Sequence, residues 1–293
     1  MSVVTGCLRK MRVRESDPVE YELTLGDQHI PLNPHLGQNI WLRHTGKIQC
    51  VHCDKPTNKS FSQGYCYPCF KRLPECDTCI MNPEQCHFHL GTCRDSEWGS
   101  TYCMQTHYVY LANTSGLKVG ITRDNPVSTR WIDQGAIQAR VIARVSSRRI
   151  AGLVEATLRQ FISDRTQWQR MLKGAIDPMD LVQEWADLYP QVADKLSGLI
   201  AEFGSDSIVL VDPAETMTDA SAGVSSEQNF QPVALSFPVQ VYPEKIKSFN
   251  FDKTPEVSGE LMGIKGQYLI LDSGVINLRK FSGYEIQYRA EPG

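Results

Sequence analysis

The chain has 293 residues, 41% hydrophobic and 22% charged, with a formal net charge of −3. That composition fits a globular protein of one large domain or two to three small ones, and it excludes a chain coated uniformly in positive charge. No apolar run approaches the ~18 residues that a membrane span needs.

The N-terminal stretch MSVVTGCLRKMRVRE lacks the apolar centre of a signal peptide, so a cytoplasmic location with no membrane partner is expected. In that compartment ten cysteines, several spaced as CxxC, point to metal rather than to disulfides. The expected class is α+β: a cysteine-rich zinc region, a central three-stranded domain with helices, and small β units at both ends.

Residues 1–49 alternate apolar and polar side chains in TGCLRKM, VEYELTLGD and QNIWLRH, which predicts a small β unit. Residues 232–293 are also β-rich, and SGELMGI, QYLILDSGVINL and GYEIQYR loosely echo the N-terminal pattern. Two separate barrel-like units or one sheet shared between the ends both satisfy this pattern.

Residues 50–103 carry the cysteines. Cys50, Cys53, Cys66 and Cys69 form CxxC-x12-CxxC around a polar, turn-rich loop. Two CxxC knuckles complete a tetrahedron around one Zn²⁺, a closed structural site with no open position for substrate. Such an ion supplies on the order of 10 kcal/mol to a region with few core residues. A second set follows, read as Cys76, Cys79, Cys86 and Cys93 with Cys103 left over. Three cysteines with His87, His89 or His107 is the alternative ligand set. Zinc is expected there too, giving two ions per chain, although four thiolates also suit an iron–sulfur cluster.

From His107 the sequence predicts a hairpin, HYVYLA–NTSG–LKVGIT, then a turn at Asn-Pro and a short helix over 127–134. A third strand, AIQARVIARV, and an amphipathic helix with Val154, Leu158, Phe161 and Ile162 on one face follow. This segment is basic. Between His107 and Ala175 eleven Lys and Arg face four acids, whereas 176–230 holds eleven acids and only Lys195. A basic module beside an acidic one suits a polyanion partner, DNA or RNA, with Arg123, Arg140, Arg144, Arg148 and Arg149 as phosphate-binding candidates.

The motifs VYL, KVGIT, the helix arginine and the helix glutamate resemble the GIY-YIG nuclease domain over about seventy residues, 104–174. With its upstream cysteines, the chain also resembles an uncharacterised bacterial family of zinc-binding proteins that embed this domain. The resemblance implies a three-stranded sheet flanked by helices and phosphodiester cleavage with one divalent ion, Mg²⁺ or Mn²⁺. It implies catalytic roles for Tyr110, Arg130 and Glu155, with Lys118 where the family has its second tyrosine. Gln134 stands near the place of the family's additional His or Tyr. Chemistry agrees with these residue types: an arginine fork binds phosphate bidentately, a carboxylate holds a hydrated divalent ion, and a lysine neutralises charge or lowers a tyrosine pKa. A binding module that keeps the fold without turnover, or a zinc-stabilised interaction scaffold, are the competing expectations.

Residues 175–204 read as an acidic helical segment with an apolar stripe of Leu181, Trp185, Leu188, Val192, Leu196 and Ile200, kinked or divided at Pro190. Residues 205–231 read as the strand SIVLVD followed by a Ser/Ala/Asp-rich linker.

Overall fold

The computed structural model describes residues 3–123, 127–213 and 230–291. The Asn-Pro turn at 125–126 and most of the expected linker lie outside them. In chain order the first strands are β1 (Val4–Cys7), β2 (Arg12–Arg14), β3 (Glu20–Leu25), β4 (Gln28–Pro31) and β5 (Asn39–Ile48). The cysteine region holds α1 (Tyr67–Arg72), several short 3-10 turns and α2 (Ser96–Cys103). Next come β6 (His107–Asn113), β7 (Leu117–Arg123), α3 (Val127–Asp133), β8 (Gln138–Val145), α4 (Arg148–Leu158) and α5 (Trp168–Leu172). The chain continues with α6 (Leu181–Phe203), β9 (Ile208–Leu210) and β10 (Val233–Ala234). It closes with β11 (Glu256–Lys265), β12 (Tyr268–Leu271), β13 (Gly274–Asn277) and β14 (Tyr284–Ala290).

The two ends meet in one six-stranded antiparallel sheet, ordered β1-β14-β5-β11-β12-β13. The shared-sheet alternative is therefore the one formed, and 1–49 and 232–293 are not independent layers. Alternation in β14 explains why: Tyr284, Ile286, Tyr288 and Ala290 are buried while Glu285, Gln287 and Arg289 between them are partly exposed. One apolar face on one strand cannot be covered by a hairpin alone. Here it joins Leu8, Tyr21, Leu42, Val257 and Phe281 in a core that also takes Tyr110 and Trp131 from the central segment. A three-stranded sheet, β2-β3-β4, completes this layer.

The central sheet runs β10-β8-β6-β7, with β9 also on β8. The three expected strands are consecutive in it, with β7 at the edge, and all its pairings are antiparallel. Against one face packs a second core of Val109, Leu111, Ile142, Val154, Leu158 and the stripe of α6. That helix is continuous through Pro190. A proline removes one helical hydrogen bond and costs about 3 kcal/mol. Burying Trp185, Leu188, Val192 and Leu196 against the same core offsets it, each contributing about 1.5–3 kcal/mol. The Trp185 indole N–H donates to the Val211 carbonyl, 3.0 Å away, so no polar atom of that ring is stranded. Among the described residues, no helix is long and apolar enough to cross a membrane.

Candidate metal centre and cationic cleft

The first cysteine set assembles as the spacing demands. Strand β5 ends at Ile48, and the chain turns at Cys50–Cys53; Cys66 then caps α1, whose first turn carries Cys69. The four thiol sulfurs lie within 4.8 Å of one another. The Cys53–Cys66 separation of 3.8 Å equals the edge, about 3.8 Å, of a tetrahedron with 2.3 Å metal–sulfur bonds. The Cys66 backbone N–H donates to Cys50 Sγ at 3.2 Å. Burial pushes the Cys50 thiol up, but the N–H groups of Cys66, Cys53 and His52 bring it down to about 6. Those donors favour a thiolate, the form a metal binds. The two knuckles lie against each other so closely that a Cβ on Gly64 would stand 2.3 Å from Val51 Cγ1. This donor set fits a structural Zn²⁺.

The second cysteine set differs from expectation. Cys76 is buried beside Cys50, Cys66, Cys69 and Leu73 and takes a hydrogen bond from the Ser62 side chain. It packs with the first cluster, whereas Cys103, left over in the expected set, lines a small cavity with Cys79, Cys86 and Cys93. The Cys86 thiol lies beside those of Cys103 and Cys79 in that cavity. Sequence reasoning missed Cys103 because it lies at the end of α2, far from any CxxC. Asp77, Cys79 and His87 also present atoms within 4.8 Å of one another. His89 is exposed, and His107 is buried with Nδ1–H donating to the Gln105 carbonyl at 2.8 Å. Burial holds His107 down at about 4.

The central domain opens on a cleft of about 680 Å³. Lys118 and Gly120 of β7, Arg130 and Gln134 beside α3, and Arg148, Glu155 and Arg159 of α4 or its end line it. Residues 80–83 form one wall, and Lys10 and Arg279 reach in from the two chain ends. Among the described residues, eight lysines and arginines line this cleft against three carboxylates, Asp133, Glu155 and Asp164.

Tyr110 faces Gly120 across the β6–β7 pair. Its ring lies over that glycine, where a Cβ would stand 2.5 Å from the hydroxyl. The tyrosine is fully buried and its hydroxyl donates to Gln134 Oε1 at 3.0 Å, while the Arg130 side chain also bonds to it. Burial raises its pKa, and the nearby Arg130 charge only partly opposes this. Lys118 Nζ donates to the same Gln134 oxygen at 3.1 Å. Burial lowers Lys118 to about 8, with Arg130 adding to the effect. Gln134 therefore ties the two buried donors together.

Glu155 precedes Arg159 by one helical turn, a spacing that permits an ion pair. Arg159 instead bridges Glu84, at 2.9 Å, and Asp164, at 3.4 Å. Among the described residues the Glu155 carboxylate has no hydrogen bond or ion pair. Burial raises it to about 6, against the pull of Arg159, Lys118 and Arg130.

The arginines expected to bind phosphate divide. Arg123 and Arg148 line the cleft. Arg123 stacks on the Tyr102 ring, 3.4 Å from its centroid, and Arg148 donates to the Ile80 carbonyl at 2.6 Å. Arg140 is buried and donates to the Phe230 carbonyl at 3.2 Å, Arg149 lies over Phe203, and Arg144 sits on β8 between Tyr108 and Val209. None of these three lines the cleft. Helical spacing in α4 separates Arg148 from Arg149, and a register shift in β8 between Val141 and Ala143 breaks the alternation between Arg140 and Arg144. Lys10, Arg159, Arg165 and Arg279 take their place, and only the tertiary fold brings the ends of the chain here. No residue of α6 lines the cleft, so the acidic helix leaves it open.

No curated protein and no solved structure matches this chain. The model of one family, described as a protein of unknown function (DUF2797), matches residues 37–286 and so spans the cysteine region, the central sheet and the shared end sheet. The chain belongs to the DUF2797 family.

Proposed function

We propose that this protein acts on nucleic acid through the cationic cleft, as a divalent-metal-dependent endonuclease of the GIY-YIG type stabilised by zinc. The observation that carries this reading is Glu155, a half-buried carboxylate with no hydrogen bond or ion pair among the described residues, facing a cleft that eight of their lysines and arginines line. A cationic groove attracts a phosphodiester backbone, and an unpaired carboxylate inside it is costly unless it serves a cation. Glu155 would hold Mg²⁺ or Mn²⁺, which when bound supplies Lewis-acid polarisation of a phosphoryl oxygen. Arg130 offers its guanidinium fork to the phosphate, and Lys118 neutralises charge that builds on the phosphoryl oxygens. Tyr110 has no exposed surface, so it acts by holding Arg130 and Gln134 in place rather than by touching substrate.

That same burial favours a second reading, a DNA- or RNA-binding module without turnover. The experiment incubates the purified full-length protein with plasmid, single-stranded DNA and RNA in Mg²⁺ or Mn²⁺, beside Arg130→Ala and Glu155→Ala. Cleavage by the wild type that both variants lose supports the endonuclease. Salt-sensitive binding that Arg130→Ala weakens, with no cleavage under any condition, selects the binding module. Absence of both rejects the nucleic-acid reading and leaves the interaction scaffold.

A further inference from the structure

We propose that Cys79, Cys86, Cys93 and Cys103 hold a second zinc ion, and that this ion fixes the wall of the cleft. The Cys86 thiol lies beside the thiols of Cys79 and Cys103. All four cysteines line one small cavity, closed by Phe88 and Trp98. Four thiols around one cavity, with no disulfide among them, match the donor set of a tetrahedral site. The rival trio of Asp77, Cys79 and His87 has its ligand atoms within 4.8 Å of one another but offers a single thiolate, and two of its members have protein partners, as Cys93 does in donating to the Asp95 carbonyl at 3.1 Å. Asp77 takes an ion pair from Arg94 Nε at 2.6 Å, and His87 Nδ1 lies 2.8 Å from Thr92 Oγ1.

The segment needs such an ion. Residues 77–103 contribute to none of the hydrophobic core clusters among the described residues. Short 3-10 turns cover much of the stretch before α2, and they carry little stability of their own. An ion held by side chains from both ends of a coreless segment replaces the missing burial.

The position gives the ion a second role. Cys79 and Cys86 bracket residues 80–85, whose first four residues line the cleft. Three contacts seat that short segment on the catalytic side. The Ile80 carbonyl accepts from Arg148 Nη2, Glu84 pairs with Arg159, and the backbone at Pro83–Glu84 approaches Gly152 of α4. A Cβ on Gly152 would stand 2.3 Å from the Glu84 nitrogen. Clamping both ends of residues 80–85 to one ion holds Arg148 and Arg159 where they face the cleft.

The test is the zinc content of full-length protein purified after growth in zinc, measured by elemental mass spectrometry for the wild type, Cys76→Ser, Cys86→Ser and Cys103→Ser. Two zinc per chain are expected in the wild type and in Cys76→Ser, and one in the other two variants. One zinc in the wild type, or loss of an ion in Cys76→Ser but not in Cys103→Ser, overturns the ligand set. Should a variant fold poorly, Co²⁺ exchanged into the wild type serves instead. Thiolate-to-cobalt absorption matching two sulfur-ligated ions supports the set, and absorption matching one rejects it. Hydrogen exchange then tests the wall. Amides of 80–85 are expected to lose at least tenfold protection in Cys103→Ser and none in Cys76→Ser, and equal protection in both refutes the clamp. Neither measurement uses nucleic acid, so its outcome is separate from that of the cleavage assay.

Discussion

Replacing Gln134 by leucine tests the hydrogen-bond knot beneath the cleft. Its Oε1 accepts from the Tyr110 hydroxyl at 3.0 Å and from Lys118 Nζ at 3.1 Å. Tyr110 is fully buried and Lys118 is 4% exposed, so water cannot readily replace the lost acceptor. A buried donor left without a partner costs about 1–3 kcal/mol, more if charged, so two of them cost about 2–6 kcal/mol. Tyr110→Phe removes one donor and leaves Gln134 still paired with Lys118, which limits its cost to about 1 kcal/mol. Urea unfolding of the wild type, both single variants and the double variant measures the difference. Because the phenylalanine leaves no hydroxyl to strand, Gln134→Leu should cost about 1–3 kcal/mol less in the Tyr110→Phe background. If Gln134→Leu costs no more than Tyr110→Phe, or the two effects simply add, the shared acceptor is not what holds these side chains.

Glu155 gives a pH-dependent prediction. Its carboxyl is raised from 4.5 to about 6 in the folded chain, so its ionisation opposes folding. That cost is absent below about pH 4.5, grows as pH rises to about 6 and persists above, reaching about 2 kcal/mol. Glu155→Gln should therefore match the wild type at pH 4 and exceed its stability by up to about 2 kcal/mol at pH 7.5, while losing any metal-dependent cleavage; equal urea midpoints at both pH values would contradict the raised pKa. Gly152→Ala should destabilise by about 1–3 kcal/mol and loosen residues 80–85, since its Cβ meets rigid backbone; thermal unfolding with hydrogen exchange checks both. Cys66→Ser should lose one zinc and exchange protection across 50–72, leaving protection in β6 and β8 unchanged, because that zinc site lies outside the central core.

Much of the local structure was legible because it is local. The CxxC-x12-CxxC spacing names its own tetrahedron, and the four sulfurs do converge. Alternation marked the strands around His107–Val145, and helical spacing marked the buried stripe of α6. Of the two outcomes expected at Pro190, the helix is not divided, because propensity is worth a few kcal/mol at most and the packing of four large apolar residues outweighs it.

The sequence alone determined that this chain carries a pair of CxxC knuckles able to hold one metal ion, a three-stranded central unit and a charge asymmetry. Each is set by residues near one another in the chain. Tertiary structure decided which cations share a cleft, that Cys103 and not Cys76 joins the second thiol group, that Gln134 links Tyr110 to Lys118, and that the chain ends form one sheet. Lys10, Glu155 and Arg279 become neighbours only when the end sheet packs beside the central one, and no local pattern encodes a contact across more than two hundred residues.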